Sequence, residues 1–184
     1  MSLLIGSIWI ARTNWVQDPA QRTPYHLANW VMRLLIGGMW LEGSLWKLPL
    51  PVSGGLSFWI GEETKHASFE VHKWLVTNVM IPALPVLNPI VYLTELGLAV
   101  SFALGFLVRP LAAIGMLFVL QLWFGLYRHP NEWPWSYIFL IFLQAQFLMH
   151  NAGRSLGLDA IMARTPWGPL KGDGAIAKLY RRFA

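Results

Sequence analysis

The sequence predicts an all-α membrane protein, a four-transmembrane-helix bundle with both termini in the cytoplasm. Three observations lead to this prediction. Of the 184 residues, 55% are hydrophobic and only 12% are charged, whereas soluble domains contain about 25% charged residues. Four apolar stretches have the length of a membrane span or nearly so. Lysine and arginine are concentrated at one end of these stretches, as they are in multi-pass proteins.

Prolines and terminal polar residues delimit the four predicted spans, which are residues 27–48, 88–108, 111–127 and 134–149. The last two are shorter than the roughly 20 residues that a bilayer needs, so local thinning or burial in a larger assembly would suit them. The bundle thus covers residues 27–150. Residues 1–26 are predicted to form a cytoplasmic or interfacial arm, and residues 151–184 a basic cytoplasmic tail. The arm's apolar run is too short to span and lacks the features of a signal peptide, so we expect an interfacial helix or a strand on a partner.

The positively charged residues set the predicted orientation. Nine of the fourteen lie on the side of the two tails and the turn between the second and third spans: Arg12, Arg22, Arg109, Arg154, Arg164, Lys171, Lys178, Arg181 and Arg182. The other side holds only Lys47, Lys65, Lys73 and Arg128. The positive-inside rule therefore places both termini in the cytoplasm. This distribution also argues against nucleic acid as a partner, despite the net charge of +5.

The segment Pro49–Leu87 is predicted to face outward, with an amphipathic helix over Ala67–Met80 on the outer surface. Tryptophans gather at or near this outer half: Trp40, Trp46, Trp59, Trp74, Trp123, Trp133 and Trp135. Tryptophan collects at membrane interfaces, and it is also enriched where proteins dock. Both interpretations fit the sequence.

Charged groups within apolar segments are costly, so function is sought first at Arg33, Glu42, Lys47 and Glu95. A rotation of 100° per residue places Arg33 and Lys47 on one face of the first span and Glu42 on the opposite face. We therefore expect neighbouring helices to enclose both faces. Glu95 in the second span has a depth that would let it pair with Lys47 or with Arg33.

Two interpretations of these charges are open. They could form a structural ion pair that holds the bundle together. They could instead form the polar end of an apolar pocket that hydrogen-bonds a quinone carbonyl or relays its proton.

Other residues are expected to be structural. Gly97, Ser101 and Gly105 form a small-residue stripe suited to close helix packing. His26 and His150 are ordinary interfacial polar residues, and haem is not expected. The spacing of the other histidines predicts no metal site. The chain has no cysteine, which excludes a cysteine-ligated metal centre.

The pattern resembles the DoxD/DoxX family of small four-helix membrane proteins, and its DoxD branch in particular. The likeness rests on strings within residues 30–159: Arg33, Gly37-Gly38 and Trp46-Lys47; Glu95, Gly97, Gly105 and Arg109-Pro110; Pro130-Asn131-Glu132-Trp133-Pro134-Trp135-Ser136-Tyr137; and Ala152-Gly153-Arg154 with Gly157-Leu158-Asp159. The string at residues 132–137 and the last pair are the most specific.

The resemblance implies a membrane subunit similar to the DoxD part of thiosulfate:quinone oxidoreductase, which pairs with a DoxA subunit and passes electrons from thiosulfate to quinone. A DoxA-like module would here be a separate protein. The leading hypothesis is therefore a quinone-associated subunit in a hetero- or homo-oligomer, with the candidate residues orienting the ring or handling its protons. The alternative is a non-catalytic accessory subunit of a larger respiratory or photosynthetic complex. A small-solute carrier is a third hypothesis, but no span is interrupted near its middle.

Overall fold

The chain is all helical in a computed structural model that describes residues 1–48, 52–166 and 168–183. The described residues contain no β-strand. Nine α-helices are present in these ranges: α1 Ser2–Gln17, α2 Pro24–Leu45, α3 Gly54–His66, α4 Glu70–Leu75, α5 Leu84–Leu104, α6 Val108–Leu126, α7 Pro134–Met149, α8 Leu158–Arg164 and α9 Ala175–Phe183. The predicted all-α class is confirmed. Residues 49–51 of the predicted outward segment and residues 167 and 184 of the predicted tail lie outside the described residues.

Four long helices, α2, α5, α6 and α7, form the bundle, in which α2 packs along α5 and α6 along α7. A shared apolar core fills the space between them, with fully buried Leu98, Phe102, Val119 and Phe147. The helices alternate in direction. The bundle therefore has a termini end, which holds α1, α8 and α9, and an α3 end, which holds α3 and α4.

Five of the eight predicted span boundaries differ from the helix ends by three or four residues, and capping accounts for two of these differences. The helix α2 begins at Pro24 rather than at 27, because Thr23 Oγ1 accepts a hydrogen bond from the His26 N–H and proline is tolerated in the first turn. The helix α5 ends at Leu104 rather than at 108. Gly105 terminates it in the left-handed conformation, with φ of 71°.

Helices α2 and α5 approach closely at Gly37. A Cβ atom there would lie 3.1 Å from the Ala99 carbonyl oxygen and 3.1 Å from the Ala103 nitrogen. The stripe predicted on α5 behaves differently, because a Cβ added at Gly97 would meet no other part of the protein within 4 Å and Ser101 Oγ donates to the Phe106 carbonyl. Thus the close helix contact uses the glycine of α2, and the expected packing role of Gly97 is wrong.

At the termini end, Asp159 of α8 joins α6 to α9 through hydrogen bonds to its carboxylate. Its carboxylate accepts hydrogen bonds from the Leu107 N–H at 3.0 Å, the Val108 N–H at 3.4 Å and the Tyr180 hydroxyl at 2.7 Å. The first turn of α6 is thereby capped by a side chain 51 residues further along the chain. Burial raises the pKa of Asp159, and the hydrogen bonds oppose that rise.

The predicted arm is a helix, α1, that packs against α5 and α8. Asn14 Nδ2 donates to the Gly157 carbonyl oxygen at 3.0 Å, and the Trp30 indole donates to Ser7 Oγ at 3.0 Å. The alternative of a strand on a partner is therefore wrong.

The segment between α2 and α5 holds more helix than predicted. Residues 70–80 are helical, as α4 followed by a π-helical turn at Val76–Met80, but α3 before them was not predicted. Leu56, Ile60 and Val76 form a second apolar core that fixes α3 on the bundle.

Two helices in the described part of the chain, α5 and α6, are long and apolar enough to cross a membrane, and α7 is apolar but shorter.

We predict that Gly37→Ala lowers the melting temperature of the protein in detergent. The added Cβ would press on backbone atoms of α5, and overpacking costs about 1–3 kcal/mol, more than the roughly 0.5–1 kcal/mol that alanine contributes to helix stability. Gly38→Ala is the matched control, because no atom lies within 4 Å of its Cβ position. Thermal unfolding should place Gly38→Ala at or above wild type; a Gly37→Ala variant as stable as Gly38→Ala would contradict the close contact.

Candidate active site

The structure brings together two of the four predicted site residues. Lys47 Nζ donates to Glu95 Oε1 in an ion pair between the end of α2 and the middle of α5. Both residues are buried, and Glu95 is only 2% exposed. Its second oxygen, Oε2, is buried without a hydrogen-bond partner. A buried carboxylate with one unsatisfied oxygen is costly and can accept a further hydrogen bond.

Arg33 lies elsewhere, at the termini end. Its Nη1 donates to the Phe102 carbonyl at 2.9 Å and its Nη2 to the Ser155 carbonyl at 2.7 Å. The guanidinium is fully buried, and a Cβ at Gly105 would collide with it. Phe102 is seven residues beyond Glu95 on α5, which is about 10 Å along a helix. The predicted pairing of Arg33 with Glu95 is therefore wrong, and its hydrogen bonds give Arg33 a structural role.

Glu42 is exposed on the face of α2 that points away from the bundle. Its position opposite Arg33 and Lys47 agrees with the predicted helix rotation. The expectation that neighbouring helices enclose both faces of α2 is wrong, because helices cover only the Arg33–Lys47 face.

A cavity of about 590 Å³ lies beside the Lys47–Glu95 pair, at the α3 end of the bundle. Pockets of roughly 300–1,000 Å³ with mainly apolar walls are typical of sites for small organic ligands. Helices α3, α5, α6 and α7 contribute to its lining, together with Trp46 and Lys47 directly after α2. The apolar lining residues are Trp46, Leu56, Trp59, Ile60, Met80, Leu87, Ile90, Val91, Phe118, Leu122 and Leu126.

Six further side chains give the cavity polar groups at separate points: Lys47, Glu63, Thr94, Gln121, Glu132 and Tyr137. Lys47 is also 4.4 Å from the Trp46 ring centroid, in cation–π contact. Glu95 lies behind Lys47 and is not itself part of the lining. The ammonium group is therefore the charge that a ligand would meet on this wall.

Glu63 is the polar lining group that sequence reasoning missed. Gln121 Nε2 donates to its Oε2 at 2.5 Å, and His72 Nε2 lies 3.4 Å from the same oxygen. Gly125 makes room for this carboxylate, because a Cβ there would meet Glu63 Cγ at 2.5 Å. Burial raises the pKa of Glu63, and the contacts with His72 and Gln121 partly oppose the rise.

Comparisons with protein-family models, with curated proteins and with solved structures find no match for this chain.

The strings that carry the DoxD likeness occupy both ends of the bundle. Glu132 and Tyr137 line the cavity, and the Tyr137 hydroxyl donates to Glu132 Oε2 at 2.9 Å. Gly153 and Asp159 belong to the termini end, where a Cβ at Gly153 would collide with the Asp159 carboxylate. One specific string therefore contributes to the cavity, while the other caps α6 and packs the tail.

The histidines at the termini end have local partners. His26 Nδ1 lies 2.9 Å from Ser155 Oγ. The rings of His26 and His150 each contact Tyr25, with centroid distances of 5.2 and 6.4 Å. These contacts agree with the expected role of interfacial polar residues.

The cavity can hold a neutral, flat, largely apolar molecule with hydrogen-bonding oxygens. Lys47 can donate to such an oxygen at one point. Glu63, Glu132 and Tyr137 can accept or donate at others. Carboxyl groups in apolar surroundings can also take up and release protons near neutral pH.

We predict that Glu63→Gln raises the melting temperature at pH 8 by about 3 °C and has a smaller effect at pH 4. Because burial raises the pKa of Glu63, the folded state binds the carboxyl proton more tightly than the unfolded state does. The stability that this proton contributes to the folded state is lost as the pH rises through the raised pKa. Glutamine is neutral throughout and avoids that loss. Thermal unfolding at both pH values tests this; the exposed-site control Glu70→Gln should stay within about 1 °C of wild type. A Glu63→Gln variant less stable than wild type at pH 8 would be the contrary result.

Proposed function

We propose that this chain is a quinone-binding, DoxD-like subunit of a membrane oxidoreductase, with α2, α5, α6 and α7 as four transmembrane helices. The observation that carries the proposal is the apolar cavity with Lys47 on its wall and a partly unsatisfied Glu95 behind it.

The surface of the bundle supports the membrane part of the proposal. In the most apolar window of each helix, only 39% of α5 and 28% of α6 is buried. A core helix of a soluble protein would be mostly covered. The other two helices also expose large apolar side chains, such as Leu35 at 64% on α2 and Phe142 at 64% on α7. Soluble monomers rarely expose apolar surface on every side of a bundle, and lipid would cover it.

The orientation follows from charge. The termini end carries most of the lysine and arginine, which favours the cytoplasm for that end. The cavity and α3 then lie in the half of the bundle toward the outer side of a bacterial or archaeal inner membrane. The helix α7, with 16 residues, spans about 24 Å, which suits a thinned bilayer or a neighbouring subunit.

A quinone suits the cavity better than a charged solute would. Its ring is flat and apolar, in keeping with walls that include Trp46, Trp59 and Phe118. Each of its two carbonyl oxygens needs a hydrogen-bond donor, and Lys47 and Gln121 are donors on the lining. Trp46 and Ile90 are also exposed on the bundle surface, at 44% and 52%, so the cavity reaches the face from which a lipid-soluble molecule would enter.

Proton handling falls to the carboxyl groups. Quinone reduction consumes protons and quinol oxidation releases them. Glu63 is held by His72 and Gln121 at the cavity wall, and can hold or pass a proton there. Glu95 holds the amino group of Lys47 in place through their ion pair.

This chain has no cysteine and therefore holds no cysteine-ligated redox centre of its own. The DoxD resemblance suggests a separate DoxA-like subunit and thiosulfate as the donor. An accessory role in a larger complex is the second proposal. It is favoured by Trp74, Trp133 and Trp135 at the α3 end, which are 61%, 75% and 62% exposed and form a surface suited to docking.

The cysteine-free sequence makes the topology directly testable. We predict that Glu70→Cys at the α3 end is labelled by a membrane-impermeant maleimide in intact spheroplasts. Asp173→Cys at the termini end should react only after the membrane is permeabilised. Both positions are exposed in the structure. Labelling of both sites in intact spheroplasts, or of Asp173→Cys alone, would contradict the orientation.

We predict that the purified protein binds a short-chain ubiquinone or menaquinone analogue, and that Lys47→Met combined with Glu95→Gln weakens this binding at least about tenfold. The double change removes the ammonium without leaving a charged carboxylate buried alone. The expected loss corresponds to one charged hydrogen bond, about 1.5–3 kcal/mol. Glu95→Gln alone should also weaken binding, because it loosens Lys47.

Calorimetric titration of the detergent-solubilised protein measures these affinities. Glu42→Gln is the matched control, because it makes the same carboxyl-to-amide change on the exposed face of α2 and should bind as wild type does. Equal affinity for wild type and the double variant, or no binding by either, would remove the quinone proposal and leave the accessory role.

A further inference from the structure

Glu62, His66 and His129 come together at the α3 end, next to the cavity but outside it. Glu62 and His66 are four residues apart and share one face of α3, which contacts α6. His129 lies in the turn after α6, 63 residues beyond His66. The spacing of the histidines predicted no metal site, and only the packing of α3 on the bundle brings these three residues together.

The spacing of their polar atoms is that of metal ligands. Glu62 Oε2 is 3.3 Å from His66 Nε2 and 3.7 Å from His129 Nε2. One ligand atom from each residue lies within 4.8 Å of the other two. Zinc bonds of about 2.0–2.2 Å in tetrahedral geometry place ligand atoms roughly 3.3–3.5 Å apart. An ion at the centre of this triangle would therefore need only small side-chain movements.

Neighbouring groups hold the three side chains in place. Lys65 Nζ donates to Glu62 Oε1 at 2.6 Å, which leaves Oε2 for an ion and lowers the pKa of the carboxyl. The Arg128 N–H donates to the His66 carbonyl at 3.3 Å. The Trp59 ring packs against His129 at a centroid distance of 5.5 Å. The ligands are thus preorganised by contacts on both sides.

We infer that Glu62 Oε2, His66 Nε2 and His129 Nε2 form a binding site for a divalent transition-metal ion of the zinc class, with the fourth position open to water. Two imidazoles and one carboxylate are a donor set that zinc uses when one coordination position stays open. Calcium and magnesium are not the expected ions, because they take oxygen ligands.

Binding changes the hydrogen bonds of His129. His129 Nδ1 accepts from the Asn131 N–H at 3.3 Å, and His129 Nε2 lies 3.7 Å from Glu62 Oε2. An ion at Nε2 would require the ring hydrogen on Nδ1, and the hydrogen bond from Asn131 would then be lost. Loss of this bond would alter the turn that leads to Glu132 in the cavity lining. The ion would join α3 to this turn and so regulate the cavity from outside.

The test is a calorimetric titration with Zn²⁺ of the full-length, chelator-treated protein in detergent. We expect one equivalent to bind, with Kd raised at least about tenfold in His129→Ala and in Glu62→Gln. His150→Ala is the matched control, because it removes an exposed histidine at the other end of the bundle and should bind as wild type does. Co²⁺ should give visible absorption bands of a four-coordinate site in wild type and lose them in His129→Ala.

Absence of Zn²⁺ binding by the wild type overturns the inference, and so does equal affinity in wild type and His129→Ala. Circular dichroism of each variant identifies unfolded protein. Glu62→Gln keeps the shape of the side chain and an acceptor for Lys65, so that at least this variant reports on metal ligation rather than folding. Quinone binding measured without metal is a separate readout, so either proposal can fail without the other.

Discussion

The buried ion pair between Lys47 and Glu95 is the interaction on which the cavity at the α3 end of the bundle depends. It joins the end of α2 to the middle of α5. Removing one partner of such a pair leaves a lone charge in apolar surroundings, at a cost of about 3–5 kcal/mol. A buried ion pair often stabilises the folded state less than well-packed apolar side chains in the same place would. Its place beside an apolar cavity gives a reason for its presence that stability alone does not.

The two ends of the bundle have different tasks. At the termini end, Arg33 and Asp159 use their hydrogen bonds on backbone groups that the ends of helices leave unpaired. At the α3 end, Lys47, Glu63 and Tyr137 point their polar groups toward a space that the protein does not fill. The charged groups at the termini end stabilise the ends of helices, whereas the polar groups around the cavity pair mainly with other side chains.

Periodicity predicted what lies within a single helix. The predicted face of Arg33 and Lys47 is buried in the structure, together with Gly37, Trp40 and Ser44, because a rotation of 100° per residue is a local property of the chain. Depth in two neighbouring spans left Glu95 within reach of Lys47 or of Arg33, and the structure pairs it with Lys47. Helix ends were less predictable, since Gly105 and the distant Asp159 decide where α5 stops and α6 begins.

What periodicity did not predict depends on contacts between distant parts of the chain. Glu63 becomes a cavity residue only because Gly125 of α6 leaves space for it. Arg33 takes a carbonyl of residue 155 as its partner, 122 residues away. The sequence between α2 and α5 carries a weaker apolar pattern than the spans do, and α3 was not predicted for that reason.

The most direct measurement of the central claim is photo-crosslinking of an azidoquinone to the protein in lipid nanodiscs, with the labelled peptides identified by mass spectrometry. The account predicts labels on the cavity walls, at Trp59 of α3 and around Val91 and Thr94 of α5, and their loss when unlabelled quinone is added in excess. Labels spread over outward-facing residues such as Leu117 and Phe142, and unaffected by competitor, would contradict a specific quinone site.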